Sequence, residues 1–340
     1  MAAQLRHPNL ERHTCPRGGP VEHECHAAPL ERPRGHTVGL ELERALHQRA
    51  KLLARKLVSG QEVAGHPRIV VRALTWNLFS GRDHPPNESL RTWRSRLLRV
   101  TERDETHAQV NRRLLDEYAG WLAGREWHVA LLQEAPPPWL RPLAERCRAS
   151  GAIALTSRNT LAFARAAIAR WNPDLIASNG GGSNQLMARA PARIAEVRRL
   201  TLTPWPDRRR MLFARLELDP GRLLCVANLH ASAGDPAAAE RDVLEAAGEA
   251  TRWAGADPLI FGGDLNLRPA EQPAAFRALE ERHGLAPTTG PHSLDHLLAR
   301  GLELVEAPAA LAPRERELQA PEGRIRLSDH APVAAAFGMK

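Results

Sequence analysis

The 340-residue sequence contains only four cysteines, at positions 15, 25, 147 and 225. So few cysteines in a chain of this length exclude a disulfide-stabilised secreted scaffold and indicate a reducing compartment. The sequence also lacks any apolar run near the roughly 20 residues that a membrane-spanning helix needs. Its first ten residues show no apolar segment of the kind found in secretory signals. These absences predict a cytoplasmic protein with no membrane span.

Aromatic residues are scarce as well, at 4% of the sequence, and Tyr118 is the single tyrosine. Hydrophobic residues, at 43%, and charged residues, at 25%, are close to the globular average. This composition excludes collagen-like and wholly disordered chains and can supply a sizeable core. The net charge of +8 divides equally between residues 1–68 and the remainder. A polyanionic substrate is therefore allowed by the charge but not required by it.

The sequence changes character near residue 69. Residues 1–68 are rich in proline, histidine, arginine and glutamate, and only residues 40–57 have the apolar spacing of a helix. This part is predicted to be a poorly ordered extension with that one helix. Residues 69–340 alternate short β-type runs, turn residues and helical stretches, which is typical of a single α/β domain.

The apolar patterns predict nine strands and five helices. The strands are expected at residues 69–77, 128–133, 186–188, 194–202, 211–218, 223–230, 258–262, 296–299 and 333–337, and the helices at 102–125, 139–148, 161–171, 237–254 and 271–283. Three consecutive strands between residues 194 and 230 have no helix between them. Antiparallel hairpins are therefore expected there, which argues against a doubly wound parallel sheet.

Polar side chains interrupt the apolar runs where the predicted strands end. They are Asn77, Glu134, Asn228 with His230, Asp264 with Asn266, Asp295, and Asp329 with His330. Each of these alone is more often an ordinary cap or turn. Together they are informative, because loops at the ends of core strands are where α/β domains assemble their sites. Carboxylates with histidine and asparagine, and without a cysteine cluster, suit a hard divalent ion such as Mg²⁺ and predict a hydrolytic metal site.

Six motifs in this order resemble those of the endonuclease/exonuclease/phosphatase superfamily over residues 69–338. They are LTWN at 74–77, LLQE at 131–134, NLH at 228–230, GGDLN at 262–266, LDH at 294–296 and SDH at 328–330. The resemblance implies a four-layer α/β sandwich, in which two packed mixed β-sheets are flanked by helices and the site lies at one end. It also implies that residues 69–340 form a catalytic domain for phosphoester hydrolysis with Mg²⁺, for which Mn²⁺ could substitute.

The resemblance implies a role for each matching residue. Asn77, Glu134 and Asp329 are expected to hold the metal, and Asp264 to position or deprotonate the attacking water. Asn266 is expected to orient Asp264 and the phosphate.

The remaining matches concern the phosphate. His230 is expected to donate a hydrogen bond to a phosphoryl oxygen or to protonate the leaving group. His330 is expected to face the phosphate, with Asp295 fixing its tautomer. Asn228, in the NLH motif, and Asn184, which follows a glycine-rich loop able to cradle a phosphate, are predicted to contact the substrate.

The branch and the substrate remain open in the sequence. His230 and the placement of Tyr118 in a predicted helix argue against the abasic-site endonucleases, and the SLDHLL stretch argues against the inositol 5-phosphatases. The broad group that includes deoxyribonuclease I-like and tyrosyl-DNA phosphodiesterase-like enzymes remains, with nucleic acid as the leading substrate class. The alternatives are a small phosphoester, a phospholipid head group, or a binding protein that has lost catalysis. No obligate protein partner is predicted, and the Arg208–Arg210 run is interpreted as a solvated turn rather than a nucleic-acid contact.

Overall fold

The computed structural model describes residues 69–157, 164, 167–168, 171–172, 182–205 and 207–339. The predicted N-terminal extension, its helix at 40–57, and most of the helix predicted at 161–171 therefore lie outside the described residues. None of the helices in the described part of the chain has the length and apolarity needed to cross a membrane.

The first of two large sheets has six strands, numbered here along the chain. In spatial order they are β12 (Glu303–Ala310), β15 (Val333–Met339), β1 (Ile69–Asn77), β4 (Val129–Gln133), β6 (Gly182–Arg189) and β5 (Ala149–Thr156). Strands β1 and β4 run parallel, with Asn77 opposite Gln133, and the other neighbours are antiparallel. The parallel pair brings the ends of two motif-bearing strands to one edge of the sheet.

The second large sheet has five strands. In spatial order they are β11 (Asp295–Arg300), β10 (Leu259–Asp264), β9 (Arg222–His230), β8 (Arg209–Asp219) and β7 (Arg193–Thr203). Strands β9 and β10 are parallel and the others are antiparallel, as the sequence predicts for the hairpins between residues 194 and 230. Two small ribbons complete the described strands: β2 (Glu102–Arg103) with β3 (Ala108–Gln109), and β13 (Glu317–Ala320) with β14 (Gly323–Arg326).

Five α-helices begin and end within the described residues. They are α1 (Trp93–Leu98), α2 (Leu115–Ala123), α3 (Leu140–Cys147), α4 (Pro236–Ala254) and α5 (Pro273–His283). The helix predicted at 102–125 is wrong in its first half, where the β2–β3 ribbon lies. There the Asp104 carboxylate accepts the backbone N–H groups of Thr106 and His107 at 2.6 and 2.7 Å, which favours a tight turn over a helix.

The layers follow from the alternation of side chains along the strands. Residues such as Leu131, Leu186, Leu212 and Ile260 point between the two sheets and form the central core. The outer face of the six-stranded sheet packs on α2 and α3, and the outer face of the five-stranded sheet packs on α4 and α5. The described residues thus form a four-layer α/β sandwich, as predicted, with two mixed sheets between helices.

Candidate functional site

The motif-bearing strand ends meet at one end of the sandwich, which is called the mouth below. Asn77, at the end of β1 in the first sheet, donates through Nδ2 to Asp264 Oδ2 at 2.9 Å, at the end of β10 in the second. Asp264 also stands opposite both His230 and Asp295 in the strand register. The predicted site residues of the two sheets therefore come together across the sandwich.

Several residues at the mouth adopt left-handed backbone conformations that non-glycine residues avoid. Glu134, Asn266 and Ser328 have φ values of 47°, 52° and 57°. Gly263 has a φ of 128°, and a Cβ there would lie 1.9 Å from the Leu229 carbonyl oxygen, so only glycine fits this position of the GGDLN motif. Such strained positions concentrate at functional sites, where surrounding structure holds them in place.

Asp264 lies buried at the centre of the mouth. Its Oδ1 accepts the backbone N–H of Asn266 at 3.1 Å, while its Oδ2 lies 3.6 Å from His230 Nε2 and 3.8 Å from His330 Nε2. Burial raises the pKa of the Asp264 carboxyl, and the negative charge of Asp295 raises it further. A carboxylate with a raised pKa is a stronger base, which suits proton abstraction from water.

Asn266 orients Asp264, but through its backbone rather than its side chain. Its Nδ2 donates instead to the Ala231 carbonyl at 3.1 Å, which ties the loop after β10 to the loop after β9. The Asn77 side chain is also engaged within the protein, because its Oδ1 accepts the backbone N–H of Phe79 at 3.0 Å. Both amides thus fix the loops that surround Asp264.

His330 and Asp295 form a close pair, with Nδ1 and Oδ2 separated by 2.7 Å. Burial acts to lower the pKa of His330, but the hydrogen bond and negative charge of Asp295, together with Asp264, outweigh it and raise this pKa to about 10. The imidazole is therefore positively charged at neutral pH. Its main chain is fixed too, because the carbonyl of His330 accepts from Trp76 Nε1 and from the Arg316 guanidinium at 3.0 and 2.9 Å.

The pKa of His230 is shifted in the opposite direction. Burial lowers its pKa to about 4, and the nearby positive charges of Arg209 and His330 act in the same direction against the opposing effect of Asp264. His230 is therefore neutral at pH 7 and able to donate one hydrogen bond. The mouth accordingly presents one charged and one neutral imidazole within 4 Å of Asp264 Oδ2.

Glu134 and Asp329 lie beside this group on the side of the first sheet. Burial raises the pKa of Glu134, and the charge of Asp329 raises it further. Ser80 Oγ donates to Glu134 Oε2 at 3.4 Å. Glu134 is half-buried and Asp329 is exposed, and two such neighbouring carboxylates are a donor set that a divalent cation stabilises.

A second group of potential ligands is more compact. Asp264, Asp295 and His330 offer atoms that all lie within 4.8 Å of one another, so the structure holds an acidic cluster able to bind a metal. However, His330 Nδ1 is already hydrogen-bonded to Asp295. Because the two carboxylates keep the His330 ring protonated, it offers no lone pair to a metal, and the trio is better suited to proton handling.

The two asparagines predicted to contact the substrate are both buried. Asn228 Oδ1 accepts from Gln133 Nε2 at 2.7 Å, and its Nδ2 donates to the carbonyls of Leu132 and Gln185 at 3.1 and 2.7 Å. Every polar group of Asn228 thus bonds the first sheet. Asn184 donates to the Arg210 carbonyl at 2.7 Å, while its Oδ1 has no hydrogen-bond partner among the described residues.

Sequence reasoning missed three residues that organise the mouth. Ser328 Oγ donates to the Asn77 carbonyl at 2.7 Å and accepts the His330 N–H at 3.1 Å, and its position inside the SDH motif was an available signal. Arg316, which donates to the His330 carbonyl, lies outside all six motifs, so no motif could have identified it. Arg209 is buried in an ion pair with Asp207 at 2.7 Å, so the interpretation of this arginine as part of a solvated turn is wrong. Its charge affects both His230 and Glu134.

Comparison with known proteins identifies the family of the chain. The sequence profile of the Endonuclease/Exonuclease/phosphatase family matches residues 74–330, which span all six motifs. The chain belongs to this family. Its members are phosphoester hydrolases, and the chain is an enzyme of that type. No curated protein matches the chain.

Solved structures show the same fold at low sequence identity. An endonuclease/exonuclease/phosphatase family protein from Bacteroides thetaiotaomicron is 15% identical with a TM-score of 0.55, covering 81% of this chain and 100% of its own. A mannosyl-6-phosphatase from the same organism is 15% identical with a TM-score of 0.54, covering 79% and 100%. A family protein from Bacteroides vulgatus is also 15% identical, with a TM-score of 0.52 and coverage of 80% and 100%. At this identity the similarity establishes the fold alone.

Proposed function

We propose that the chain is a Mg²⁺-dependent phosphodiesterase that cleaves nucleic acid by in-line attack of water, without a covalent intermediate. The observation that carries the proposal is Asp264, a buried carboxylate held by the Asn77 amide and the Asn266 N–H between two imidazoles. This arrangement can bind a phosphoryl group and remove a proton from water on its far side. No protein nucleophile is required.

The protonation states support distinct roles for the three central groups. Asp264, with its raised pKa, accepts the proton of the attacking water. His330, charged and fixed by Asp295, offsets negative charge that develops on the phosphoryl oxygens. His230, neutral at pH 7, donates a hydrogen bond to a phosphoryl oxygen or to the leaving oxygen.

Glu134, Asp329 and Asn77 are proposed to hold the metal. Burial first and the charge of Asp329 second raise the pKa of Glu134, and a cation beside the two carboxylates would offset both effects. Carboxylate and amide oxygens are the ligands that Mg²⁺ prefers. When bound there, the ion would supply positive charge that further stabilises the phosphoryl oxygens during attack.

Metal binding by two conservative variants distinguishes this position from the Asp264–Asp295–His330 cluster. We expect Glu134→Gln to weaken Mg²⁺ or Mn²⁺ binding by about 10-fold or more, because it removes a ligand charge. Asp295→Asn should leave the dissociation constant within about two-fold. Isothermal titration calorimetry measures the metal dissociation constant of both variants and the wild type. The opposite ranking would move the metal to the central cluster.

A small phosphoester is the second candidate substrate, and a cavity favours it. A pocket of about 460 Å³ opens beside Phe79, whose neighbour Ser80 bonds Glu134. Guanidinium, carboxylate, hydroxyl and amide groups line it, from Arg82, Arg91, Asp83, Glu88, Ser95 and Gln109. Such a mixed polar lining suits a polyhydroxylated group attached to the phosphate. The mannosyl-6-phosphatase fold neighbour is compatible with this alternative.

Hydrolysis assays on the full chain separate the two candidates. The wild type with Mg²⁺ or Mn²⁺ is assayed on single- and double-stranded DNA, RNA, mannose 6-phosphate, inositol phosphates and phospholipids. Metal-dependent cleavage of internal nucleic-acid linkages, with kcat/KM far above that for the monoesters, supports the proposal. A higher kcat/KM for a sugar phosphate than for nucleic acid would favour the second candidate instead.

Cellular location and partners remain predictions from the sequence. The two described cysteines, Cys147 and Cys225, are buried free thiols, which is compatible with the proposed cytoplasmic location. We propose the phosphoester substrate as the binding partner, without an obligate protein subunit.

A further inference from the structure

Helix α1 and the residues after it expose large apolar side chains to solvent. Trp93 and Leu97, one turn apart on the helix, are 66% and 54% exposed, and Leu98 and Val100 are 58% and 38% exposed. These four side chains fall within eight consecutive residues. Single exposed apolar residues are normal on a protein surface, whereas a contiguous group of them marks a contact surface.

The helix is held with a polar residue toward the protein. Ser95 is buried, its carbonyl accepts Asn111 Nδ2 at 2.6 Å, and its N–H donates to Thr92 Oγ1 at 3.2 Å. Thr92 Oγ1 in turn donates to Glu102 Oε1 at 2.7 Å. A serine thus faces inward while the apolar side chains face solvent, which reverses the usual pattern of a surface helix. Because these bonds fix the orientation of α1, its apolar side chains stay on the outside.

The same segment carries charge of one sign. Residues 91–100 contain four arginines and no acidic residue. Arg91 pairs with Glu88 at 2.7 Å, whereas Arg94 and Arg99 are exposed and form no ion pair within the described part of the chain. Arginines beside a tryptophan and aliphatic side chains are typical of segments that lie in the interface of an anionic membrane.

Charge and chemistry favour a membrane over other occupants of this face. Two copies of the chain that met through α1 would bring identical arginines together, and like charges oppose that contact. Nucleic acid would pair with the guanidinium groups, but Leu97, Leu98 and Val100 have no aromatic face on which a base could stack. The boundary between lipid head groups and acyl chains accepts both the arginines and the aliphatic side chains.

We propose that α1 and the two residues after it dock the protein on the surface of an anionic lipid membrane. This lipid-docking surface consists of Trp93, Arg94, Leu97, Leu98, Arg99 and Val100. The apolar side chains enter the boundary between head groups and acyl chains, and the guanidinium groups contact lipid phosphates. The inference goes beyond the proposed function and holds whichever phosphoester the enzyme cleaves.

The lipid-docking surface adjoins the pocket beside the mouth. Arg91 and Ser95, from the same segment, line the pocket of about 460 Å³ together with Phe79. Phe79 is followed by Ser80, which bonds Glu134. Docking through α1 therefore places this pocket close to lipid head groups.

Binding is measured by co-sedimentation of the full chain with vesicles of phosphatidylcholine that contain about one third phosphatidylglycerol, an anionic lipid. Trp93→Ala with Leu97→Ala is expected to raise the lipid concentration for half-maximal binding at least about 10-fold, because two apolar side chains no longer enter the interface. Arg94→Gln with Arg99→Gln should raise it by about 10-fold or more, because two contacts to lipid phosphates are lost. Wild-type binding should weaken at high salt and on phosphatidylcholine alone.

Matched controls remove similar groups elsewhere in the chain. Trp171→Ala with Leu304→Ala removes side chains that are 55% and 45% exposed, and Arg241→Gln with Arg277→Gln removes two exposed charges from α4 and α5. Neither control should change vesicle binding by more than about two-fold, and circular dichroism confirms that each variant is folded.

Three results would overturn the proposal. The first is a wild-type chain that does not bind the anionic vesicles, and the second is an equal loss of binding in the controls and in the α1 variants. The third is unchanged vesicle binding by the α1 variants together with weaker binding of an oligonucleotide, which would assign this face to nucleic acid.

A small substrate separates failure of the lipid-docking surface from failure of the proposed function. Trp93→Ala with Leu97→Ala should hydrolyse bis-p-nitrophenyl phosphate at the wild-type rate while it loses vesicle binding. Asp264→Asn should lose hydrolysis and bind vesicles as the wild type does. Loss of both properties in the α1 variant would contradict the lipid-docking surface. Vesicle binding by a wild type without metal-dependent hydrolysis would count against the proposed function alone.

Discussion

His330 holds its two ring nitrogens toward two different carboxylates. Nδ1 meets Asp295 at 2.7 Å, and Nε2 lies 3.8 Å from Asp264. Burial works against the charged imidazole, yet the two acids outweigh it, so the pKa of His330 is raised to about 10. The charge of this residue therefore depends on Asp295 more than on Asp264 or Asp329.

Asp295→Asn tests that dependence. Without the carboxylate, burial of His330 is less opposed and its pKa falls, so the imidazole loses its proton at lower pH. We expect kcat to drop by roughly 10²–10⁴-fold, as when the carboxylate of a hydrolase triad is neutralised. We also expect the basic limb of the pH–rate profile to move to lower pH. A uniform loss of rate with an unmoved basic limb would assign Asp295 a merely structural role.

At the scale of elements, the segment between α5 and β11 is held by a buried histidine. His296 Nδ1 accepts the Thr289 N–H at 3.2 Å, and its Nε2 donates to the Ser293 carbonyl at 2.9 Å. Burial lowers the pKa of His296 from 6.5 to about 4. The neutral ring thereby positions the start of β11, where Asp295 begins the strand.

His296 makes stability depend on pH in a defined direction. Between pH 6.5 and 4 the unfolded chain binds a proton at this site and the folded chain does not, so the free energy of unfolding falls as pH falls. The contribution is about 1.4 kcal/mol per pH unit. In urea titrations from about pH 7.5 to 4.5, His296→Gln should be less stable at the upper end but lose stability less steeply. Identical slopes in the two proteins would contradict this assignment.

At the scale of the whole molecule, the two sheets are joined near the mouth by a buried polar bridge. Asn228 in the second sheet bonds Gln133 and the carbonyls of Leu132 and Gln185 in the first, and Gln133 Nε2 also donates to Thr75 Oγ1 at 3.0 Å. Buried networks of this kind fix one alignment of the packed layers when every member is satisfied. The distance from Asn77 to Asp264 depends on that alignment.

Asn228→Leu distinguishes an intersheet bridge from a substrate contact. It leaves the Gln133 amide and two carbonyls without their partner, at a cost of about 1–3 kcal/mol for each group left unsatisfied. We expect a loss of unfolding free energy of at least about 2 kcal/mol in urea titration. Wild-type stability together with a raised KM would instead support the substrate role that the sequence predicts for Asn228.

The sequence predicts the strands that are buried and therefore show a clear apolar pattern. The core strands that end at Asn77, Gln133, His230 and Asp264 are largely buried on both faces and read as apolar runs. Strand β12 was missed because it is an edge strand with almost every residue exposed, and β5 because small side chains carry little periodic signal. Neither strand carries a motif residue.

The hydrogen-bond partners of the site residues were less predictable from the sequence. The motifs identify Asn266 as a neighbour of Asp264, but only the left-handed turn after β10 shows that the backbone N–H makes the bond. Likewise, no local pattern reveals that Arg209 is buried. The sequence could predict which residues belong to the site. Their hydrogen-bond geometry could not be predicted, because it is set only when the two sheets pack together.

The most direct test of the proposed chemistry is the rate of bis-p-nitrophenyl phosphate hydrolysis by the wild type and by Asp264→Asn, each with and without Mg²⁺. The account predicts metal-dependent turnover in the wild type and a loss of at least about 10³-fold in kcat for Asp264→Asn, because the base for the attacking water is gone while the amide retains the fold. Turnover by Asp264→Asn within ten-fold of the wild type would contradict the account.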